Sequence, residues 1–260
     1  MAHPPLAAAL AASLVLAQPA AAHFLELLPS ADVLPEGGAV SLDLRFTHPF
    51  EGGPMMRLER PVQAGMATAE GTTDLTDRLE PAPVEGVEAW RMTLDLDRPG
   101  AAVVFAVPQP YWEPAEGKYI RHYPKVVIDS YASGEGWDVM AGLPVEIRPL
   151  TRATGLWAGN SFSGVVLQDG APVPFAEIEV EPVTEGRLPA PNDAFITQVI
   201  RADANGTFTY AMPFAGWWGF AALLEGEPMP GPEGSPVPVE EGALIWVHAT
   251  ALPDMAQAAR

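Results

Sequence analysis

Residues 40–46 read Val-Ser-Leu-Asp-Leu-Arg-Phe, so an apolar side chain stands at every second position. Because successive side chains of an extended chain point to opposite faces, this alternation predicts a β-strand with one face on a core. Residues 89–96 alternate in the same way, and residues 142–148 do so in large part. The continuous apolar runs 101–107 and 125–129 predict strands that are buried on both faces.

Turn-forming residues separate these segments along the whole chain. The sequence holds 29 Pro and 24 Gly among its 260 residues, and such residues interrupt helices of ordinary length. We therefore predict an all-β fold. The pattern changes between the strand ending at Arg148 and Gly155, which predicts two β-sandwich domains, one over residues 23–150 and one over residues 155–250.

Two segments of the second half carry local signals of their own. Residues 195–201 and 207–212 predict a hairpin closed by Asn205-Gly206, because Asn and Gly tolerate the positive φ of tight turns. Residues 225–242 are rich in Pro, Gly and Glu and predict a solvent-exposed loop.

The first 22 residues predict a cleaved signal peptide. They contain no charged side chain, and the apolar run from Leu6 to Ala17 is too short to span a bilayer, which takes about 20 residues. Three alanines at positions 20–22 provide a small-residue cleavage site. We therefore expect a periplasmic protein without stable membrane insertion whose mature chain begins at His23.

Charge and composition narrow the classes of function. The chain has 14 Lys and Arg against 33 Asp and Glu, a formal net charge of −19, which disfavours binding to nucleic acid. With no cysteine, disulfides and thiolate chemistry are excluded. The sequence has no Gly-x-Ser-x-Gly, phosphate-binding or dinucleotide-binding motif, so we expect a protein that is not an enzyme and has no organic cofactor.

Four histidines follow residue 22, and three of them are candidate metal ligands. A chain that begins at His23 offers an α-amino group and an imidazole on one residue, and these two groups can chelate a divalent metal together. His48 stands where an alternating strand meets a Pro and Gly-Gly turn, and His122 precedes an apolar strand. His248 lies in neither kind of motif.

Other candidate ligands are interpreted as structural. Met55 and Met56 follow the same turn as His48 and could favour copper(I), but two methionines more often fill gaps in a core. Asp203 begins a segment that resembles a calcium-binding loop. The twelfth position of such a loop carries an acidic ligand, but here it is occupied by Phe214. We expect a turn there.

Several stretches follow one family pattern: residues 23–30 (HFLELLPS), 44–56 (LRFTHPFEGGPMM), 108–128 (PQPYWEPAEGKYIRHYPKVVI), 149–160, 173–180 and 202–222. They resemble a bacterial family of exported proteins described as periplasmic components of cobalt/nickel uptake systems and also catalogued as a domain of unknown function. The second half is additionally similar to carboxypeptidase-regulatory-like, prealbumin-type modules, so the resemblance implies immunoglobulin-like or prealbumin-like sandwiches.

The resemblance implies a protein that binds Ni(II) or Co(II) and supplies it to an inner-membrane nickel/cobalt transporter, with His23, His48 and His122 as ligands. Two other classes stay open. A copper oxidase would use the His23 amine and imidazole, a further histidine and an axial tyrosine such as Tyr123. A structural or carbohydrate-binding sandwich would use aromatic residues such as Trp112 instead of a metal.

Overall fold

A computed structural model describes residues 23–253, so the predicted signal peptide and its cleavage site lie outside the described residues. The described chain is built almost entirely of strands, which confirms the predicted all-β class. The strands in chain order are β1 Phe24–Pro29, β2 Val33–Leu34, β3 Gly38–Thr47, β4 Gln63–Thr68, β5 Gly71–Asp74, β6 Glu80–Pro81, β7 Trp90–Leu96, β8 Gly100–Val107, β9 Tyr111–Glu113, β10 Lys118–Ser130, β11 Val145–Pro149, β12 Leu156–Trp157, β13 Ser161–Gln168, β14 Ala171–Pro172, β15 Glu177–Pro182, β16 Gln198–Arg201, β17 Thr207–Ala211, β18 Gly216–Pro230 and β19 Pro236–Thr250. Short 3-10 helices form at Thr76–Arg78 and Asp193–Phe195. Among residues 23–253, no helix is long and apolar enough to cross a membrane.

The strands of the described chain form three sheets. The first has four strands in the order β1-β3-β7-β6. The central sheet has eleven strands, with β16-β15-β18-β19-β10-β8-β4-β5 as its main path. The third sheet pairs β13 with β11, β14 and β17. The two outer sheets cover opposite faces of the central sheet, which gives a sandwich on each side.

Alternation along the central strands explains the two cores. In β19, the Trp246 side chain belongs to the first core, together with residues of β1, β3 and β7. Its neighbours Ile245 and Val247 belong to the second core, together with residues of β11, β13 and β17. All three side chains are fully buried. A strand that is apolar on both faces therefore serves both sandwiches, as such runs do in covered sheets.

The central sheet contains strands from both halves of the chain. β10 and β19 pair in parallel, with Tyr119 opposite Val239 and Val126 opposite Trp246. This pair is the seam between the strands that precede residue 150 and those that follow it. The division into domains 23–150 and 155–250 stays a prediction.

Two local predictions are wrong, and both failures concern strand pairing. Residues 225–242 are not a loop, because β18 and β19 continue their ladder out to Pro230 opposite Pro236, with an irregularity between Gly226 and Met229. The Asn205-Gly206 turn does not close a hairpin, since β16 pairs with β15 and β17 pairs with β13. This turn carries the chain from the central sheet to the third sheet.

Candidate metal site

Antiparallel pairing places His23 beside His48. Phe24 at the start of β1 lies opposite Thr47 at the end of β3. The residues just beyond this pair are His23 and His48, so the register brings them together. Their ring centroids lie 4.8 Å apart with the planes at 78°.

His122 comes from β10 of the central sheet and faces the first core. It lies opposite Gly242 of β19, and its ring covers that glycine so closely that an added Cβ would lie 2.4 Å from the ring atom Cδ2. A glycine is therefore needed at position 242 for this ring position. The His122 residue is only 3% exposed.

Phe46 packs against both His23 and His122. Its ring centroid lies 5.8 Å from that of His23 and 6.2 Å from that of His122. Tyr111 packs edge-on against the same ring at 5.1 Å. The structure thus brings together the three histidines that the sequence nominated from separate segments, with His23 and His48 in contact and His122 on the same phenylalanine.

Carboxylates flank each imidazole. His23 Nε2 lies 3.3 Å from Glu113 Oε2, and His122 Nε2 lies 3.0 Å from Glu240 Oε1. His48 Nδ1 lies 3.7 Å from Glu51 Oε2, which is too long for a hydrogen bond.

Several buried imidazole nitrogens have no hydrogen-bond partner among residues 23–253. In the cluster these are both ring nitrogens of His48 and Nδ1 of His122, and outside it the same holds for Nδ1 of His248. Buried polar atoms are nearly always paired, because an unpaired one costs about 1–3 kcal/mol. The unpaired nitrogens of His48 and His122 therefore call for an explanation.

The surroundings of His23 and His48 favour neutral rings. Burial lowers the pKa of His23, and the nearby His48 and His122 lower it further, although Glu113 acts in the opposite sense. Burial also lowers the pKa of His48 against the opposing effect of Glu51. A neutral imidazole has a free lone pair on one nitrogen, which is the form that binds a metal.

Glu240 is held as a carboxylate by two basic partners. Burial acts to raise its pKa, but the hydrogen bonds and charges of His122 and Lys118 outweigh burial and lower the pKa to about 2. Lys118 Nζ donates to Glu240 Oε2 at 2.6 Å and also lies 2.6 Å from Glu116 Oε2. Glu240 thus links His122 to the turn between β9 and β10.

A cavity of about 260 Å³ opens beside His122. Phe46, Tyr111 and Trp112 are among the side chains that line it. Of the three histidines, only His122 lines this cavity. Within residues 23–253, no three His, Asp or Glu side chains are already placed around one point as a formed metal site.

The other residues considered from the sequence lie elsewhere. His248 contacts Trp217, at 5.0 Å between centroids, and Asp32. Met56 is buried in the first core, as expected for a residue that fills space. Asp203 accepts hydrogen bonds from the backbone of residues 205 and 207, which confirms the turn.

Tyr123 does not fit the role of an axial ligand beside His122. Adjacent residues of a strand point to opposite faces, so Tyr123 lies in the second core while His122 faces the first. Tyr111 is the tyrosine that approaches the histidines, through Phe46.

Sequence reasoning missed Glu113, Glu240 and Gly242. Glu113 lies within the motif that contains His122, so its proximity to that histidine along the chain was the one available signal. Glu240 and Gly242 lie in the segment interpreted as a loop. Only the parallel pairing of β10 with β19 reveals their position.

The fold and the cluster define a β-sandwich protein with a buried group of imidazoles. Residues 20–226 match the family described as "Domain of unknown function (DUF4198)", and the chain belongs to this family. A comparison with curated proteins finds no match.

The solved structures that resemble this chain are segments or whole chains of multidomain proteins, with low sequence identity to it. A segment of titin domains is 13% identical, with 85% of this chain and 62% of that chain covered and a TM-score of 0.22. Escherichia coli alpha-2-macroglobulin activated by porcine elastase is 14% identical, with 88% and 20% covered and a TM-score of 0.25. A segment of two fibronectin type-III domains from chicken tenascin is 11% identical, with 86% and 98% covered and a TM-score of 0.24. The chain thus spans less than two thirds of the length of the titin segment and of the alpha-2-macroglobulin.

Proposed function

We propose that this chain is a periplasmic metal-binding protein that captures Ni(II) or Co(II) through His23, His48 and His122 and supplies the ion to an inner-membrane importer. The observation that carries the proposal is the packing of His23 against His48 and of both His23 and His122 against Phe46. Buried ring nitrogens of His48 and His122 also have no hydrogen-bond partner among residues 23–253. A bound cation would use the lone pair on one nitrogen of His48 and the one on Nδ1 of His122, while the second nitrogen of a neutral His48 carries the ring hydrogen.

The donor set suits ions of intermediate softness. Imidazole and amine nitrogens suit Ni(II), Co(II), Cu(II) and Zn(II), whereas an oxygen-rich site would suit Mg(II) or Ca(II). The preference for Ni(II) or Co(II) among them rests on the resemblance to cobalt/nickel uptake proteins. If the chain is cleaved after residue 22, the His23 α-amine adds a fourth nitrogen, which is a backbone group and not a side chain.

The site must release what it binds if the protein is a carrier. The cavity beside His122 gives a route for exchange, and Glu51 next to His48 is half exposed at 50% of its side chain. The net charge of −19 favours the approach of cations to the surface.

Calorimetric titration tests the metal site. Protein that begins at His23, as verified by mass, is titrated with Ni(II), Co(II), Cu(II) and Zn(II), and we expect one-to-one binding of Ni(II) or Co(II). One added Ala before His23 removes the chelating amine from this residue, so the affinity should fall by about tenfold or more. His48→Ala and His122→Ala should have effects of similar size.

His248→Ala is the matched control, because it removes an imidazole that contacts Trp217 and lies outside the cluster. It should leave the affinity unchanged. Absence of binding by all four ions, or binding that survives the added Ala and both substitutions, would refute this site. Selective Cu(II) binding with consumption of reductant and oxygen would instead favour the copper oxidase.

Delivery is tested in cells that carry the importer. Cells that produce the wild-type chain should accumulate more Ni(II) or Co(II) at limiting concentration than cells that produce the His122→Ala variant at the same level. Equal accumulation would leave a metal-binding protein without a role in supply.

A further inference from the structure

The carboxylates of Glu113 and Glu240 meet the histidines at one particular ring nitrogen. Glu240 Oε1 forms a hydrogen bond with Nε2 of His122 at 3.0 Å, and Glu113 Oε2 lies 3.3 Å from Nε2 of His23 as an ion-pair contact. An ionised carboxylate can only accept a hydrogen bond, so it favours the neutral tautomer that has its hydrogen on Nε2. In that tautomer the lone pair is on Nδ1.

The environment of the opposite nitrogen agrees with this assignment. Nδ1 of His122 is buried and finds no hydrogen-bond partner in the described part of the chain, as expected for an atom reserved for another ligand. For His23, the covalent geometry of the residue also favours Nδ1 as the ligand atom. A metal held by the backbone amine of a residue closes a six-membered ring through Nδ1 of the same residue, while Nε2 lies on the far side of the imidazole.

We propose that Glu113 and Glu240 are positioning residues that fix His23 and His122 in the Nε2–H tautomer, so that both rings offer Nδ1 to the metal. The proposal rests on the proposed function and adds the ligand atom and the residues that select it. Carboxylates in this relation to metal-binding histidines fix the ring orientation and raise the basicity of the ligand nitrogen.

The turn between β9 and β10 contacts both carboxylates, because Glu113 lies at its start and Lys118 at its end reaches Glu240 of β19. Glu113 ends β9, where its side chain accepts from Ala115 N at 2.9 Å and its carbonyl accepts from Gly117 N at 2.9 Å. Lys118 starts β10 at the other end of the turn and donates to Glu240 at 2.6 Å. The turn at 113–118 therefore links the partner of His23 to the partner of His122.

The tautomers are measured directly by two-bond ¹H–¹⁵N NMR on the metal-free mature protein, at a pH high enough that both imidazoles are neutral. In the wild type, His23 and His122 should show the pattern of hydrogen on Nε2. Glu240→Leu should convert His122 to a tautomer mixture and weaken Ni(II) binding roughly 10–100-fold. Glu240→Gln should largely preserve the tautomer, because the amide oxygen accepts from the same Nε2–H.

Glu241→Leu is the matched control. It removes the same charge from the next residue of β19, but its side chain faces Arg121 and Tyr123 on the other side of the sheet. We expect the His122 tautomer and the Ni(II) affinity to stay as in the wild type. Hydrogen on Nδ1 in the wild type, or a His122 tautomer that Glu240→Leu leaves unchanged, would overturn the proposal.

Metal binding and the positioning role of the two glutamates can be refuted separately. If Ni(II) or Co(II) binds but the wild-type rings carry hydrogen on Nδ1, the positioning role is wrong and the metal function stands. If the rings carry hydrogen on Nε2 but no metal binds, the metal function is wrong, and with it the assignment of Nδ1 as a ligand atom. The wild-type spectrum needs no variant, so a variant that does not fold leaves the test intact.

Discussion

Gly242 shows how one residue without a side chain sets the geometry of a site on the neighbouring strand. A Cβ at this position would lie 2.4 Å from Cδ2 of His122, so Gly242→Ala must displace the ring. We expect Ni(II) affinity to fall by about tenfold, because ligand atoms must be held close to their productive positions. Calorimetric titration measures the affinity, and urea denaturation measures the cost to folding.

Gly226→Ala is the matched control in the same pair of strands. Its Cβ would lie 2.7 Å from Cγ of Glu241, so this side chain must rotate aside while the ring of His122 is not among the nearest atoms. This variant should bind Ni(II) like the wild type. A Gly242→Ala variant with unchanged affinity would show that the ring position of His122 does not matter for binding.

Glu179 predicts a pH dependence of stability. Burial, together with the charges of Glu240, Glu181 and Glu177, raises its pKa to about 7 from an ordinary value of 4.5. The folded protein therefore binds this proton more tightly than the unfolded chain does. The stabilising contribution is fully present below pH 4.5 and is lost as the pH rises through 7.

The Glu179→Gln variant has no charge at any pH and should avoid that loss. Its free energy of unfolding relative to wild type should be higher at pH 8 than at pH 5, by on the order of 1–2 kcal/mol. Urea denaturation at both pH values measures the difference. Glu177→Gln, on the same strand but exposed and paired with Arg201, should show no comparable change. A pH-independent difference for Glu179→Gln would contradict the prediction.

At the scale of elements, a buried ion pair attaches the segment before β11 to β10. Lys125 Nζ donates to Glu146 Oε1 at 2.7 Å, and both side chains are nearly inaccessible. Glu146 also accepts from the backbone nitrogens of residues 141, 142 and 143. One carboxylate thus serves four donors, which connects the central and third sheets at this point.

Glu146→Ala should be strongly destabilising. It leaves the Lys125 charge buried without a partner, and breaking such a pair costs about 3–5 kcal/mol. Urea denaturation at pH 7 measures the loss. Glu177→Ala breaks the exposed pair with Arg201 and should cost less than about 1 kcal/mol. Similar losses for the two variants would show that Glu146 has no special role.

The strands could be predicted from the sequence because alternation is a local property. Residues 40–46 and 89–96 fall within or largely within β3 and β7, where buried and exposed side chains alternate as expected. The partner of a strand is not local. Asn205-Gly206 forms a tight turn as its chemistry demands, but nothing in the turn indicates that the next strand joins another sheet.

The candidate site shows the same division. The small number of histidines and the motifs around them identified His23, His48 and His122 as candidates. In the structure His23 and His122 both pack against Phe46, and His48 packs against His23. Glu240 follows His122 by 118 residues and reaches it only through the parallel pair of β10 and β19. The Pro, Gly and Glu residues around it predicted a loop, because they interrupt the alternation of apolar and polar side chains by which a long strand is recognised.

At the scale of the whole molecule, the central sheet makes the two cores dependent on each other. β19 contributes Trp246 to the first core and Ile245 to the second, so neither core can lose this strand alone. Small proteins with one cooperative unit unfold in a single transition. We therefore expect residues 23–253 to unfold as one unit, although the sequence suggests two domains.

Differential scanning calorimetry tests this cooperativity, with the calorimetric and van't Hoff enthalpies expected to agree. Leu42→Ala opens a cavity in the first core and Phe208→Ala opens one in the second, each at a cost of roughly 2–5 kcal/mol. Because β10 and β19 belong to both cores, each variant should lower the midpoint of the same single transition. The NMR signals of the His23 and His48 rings should then vanish over the temperature range in which the amides of β13 do, even when the cavity is in the second core. Two resolved transitions, each moved by only one of the variants, would show instead that the sandwiches unfold independently and that the shared strands do not couple them.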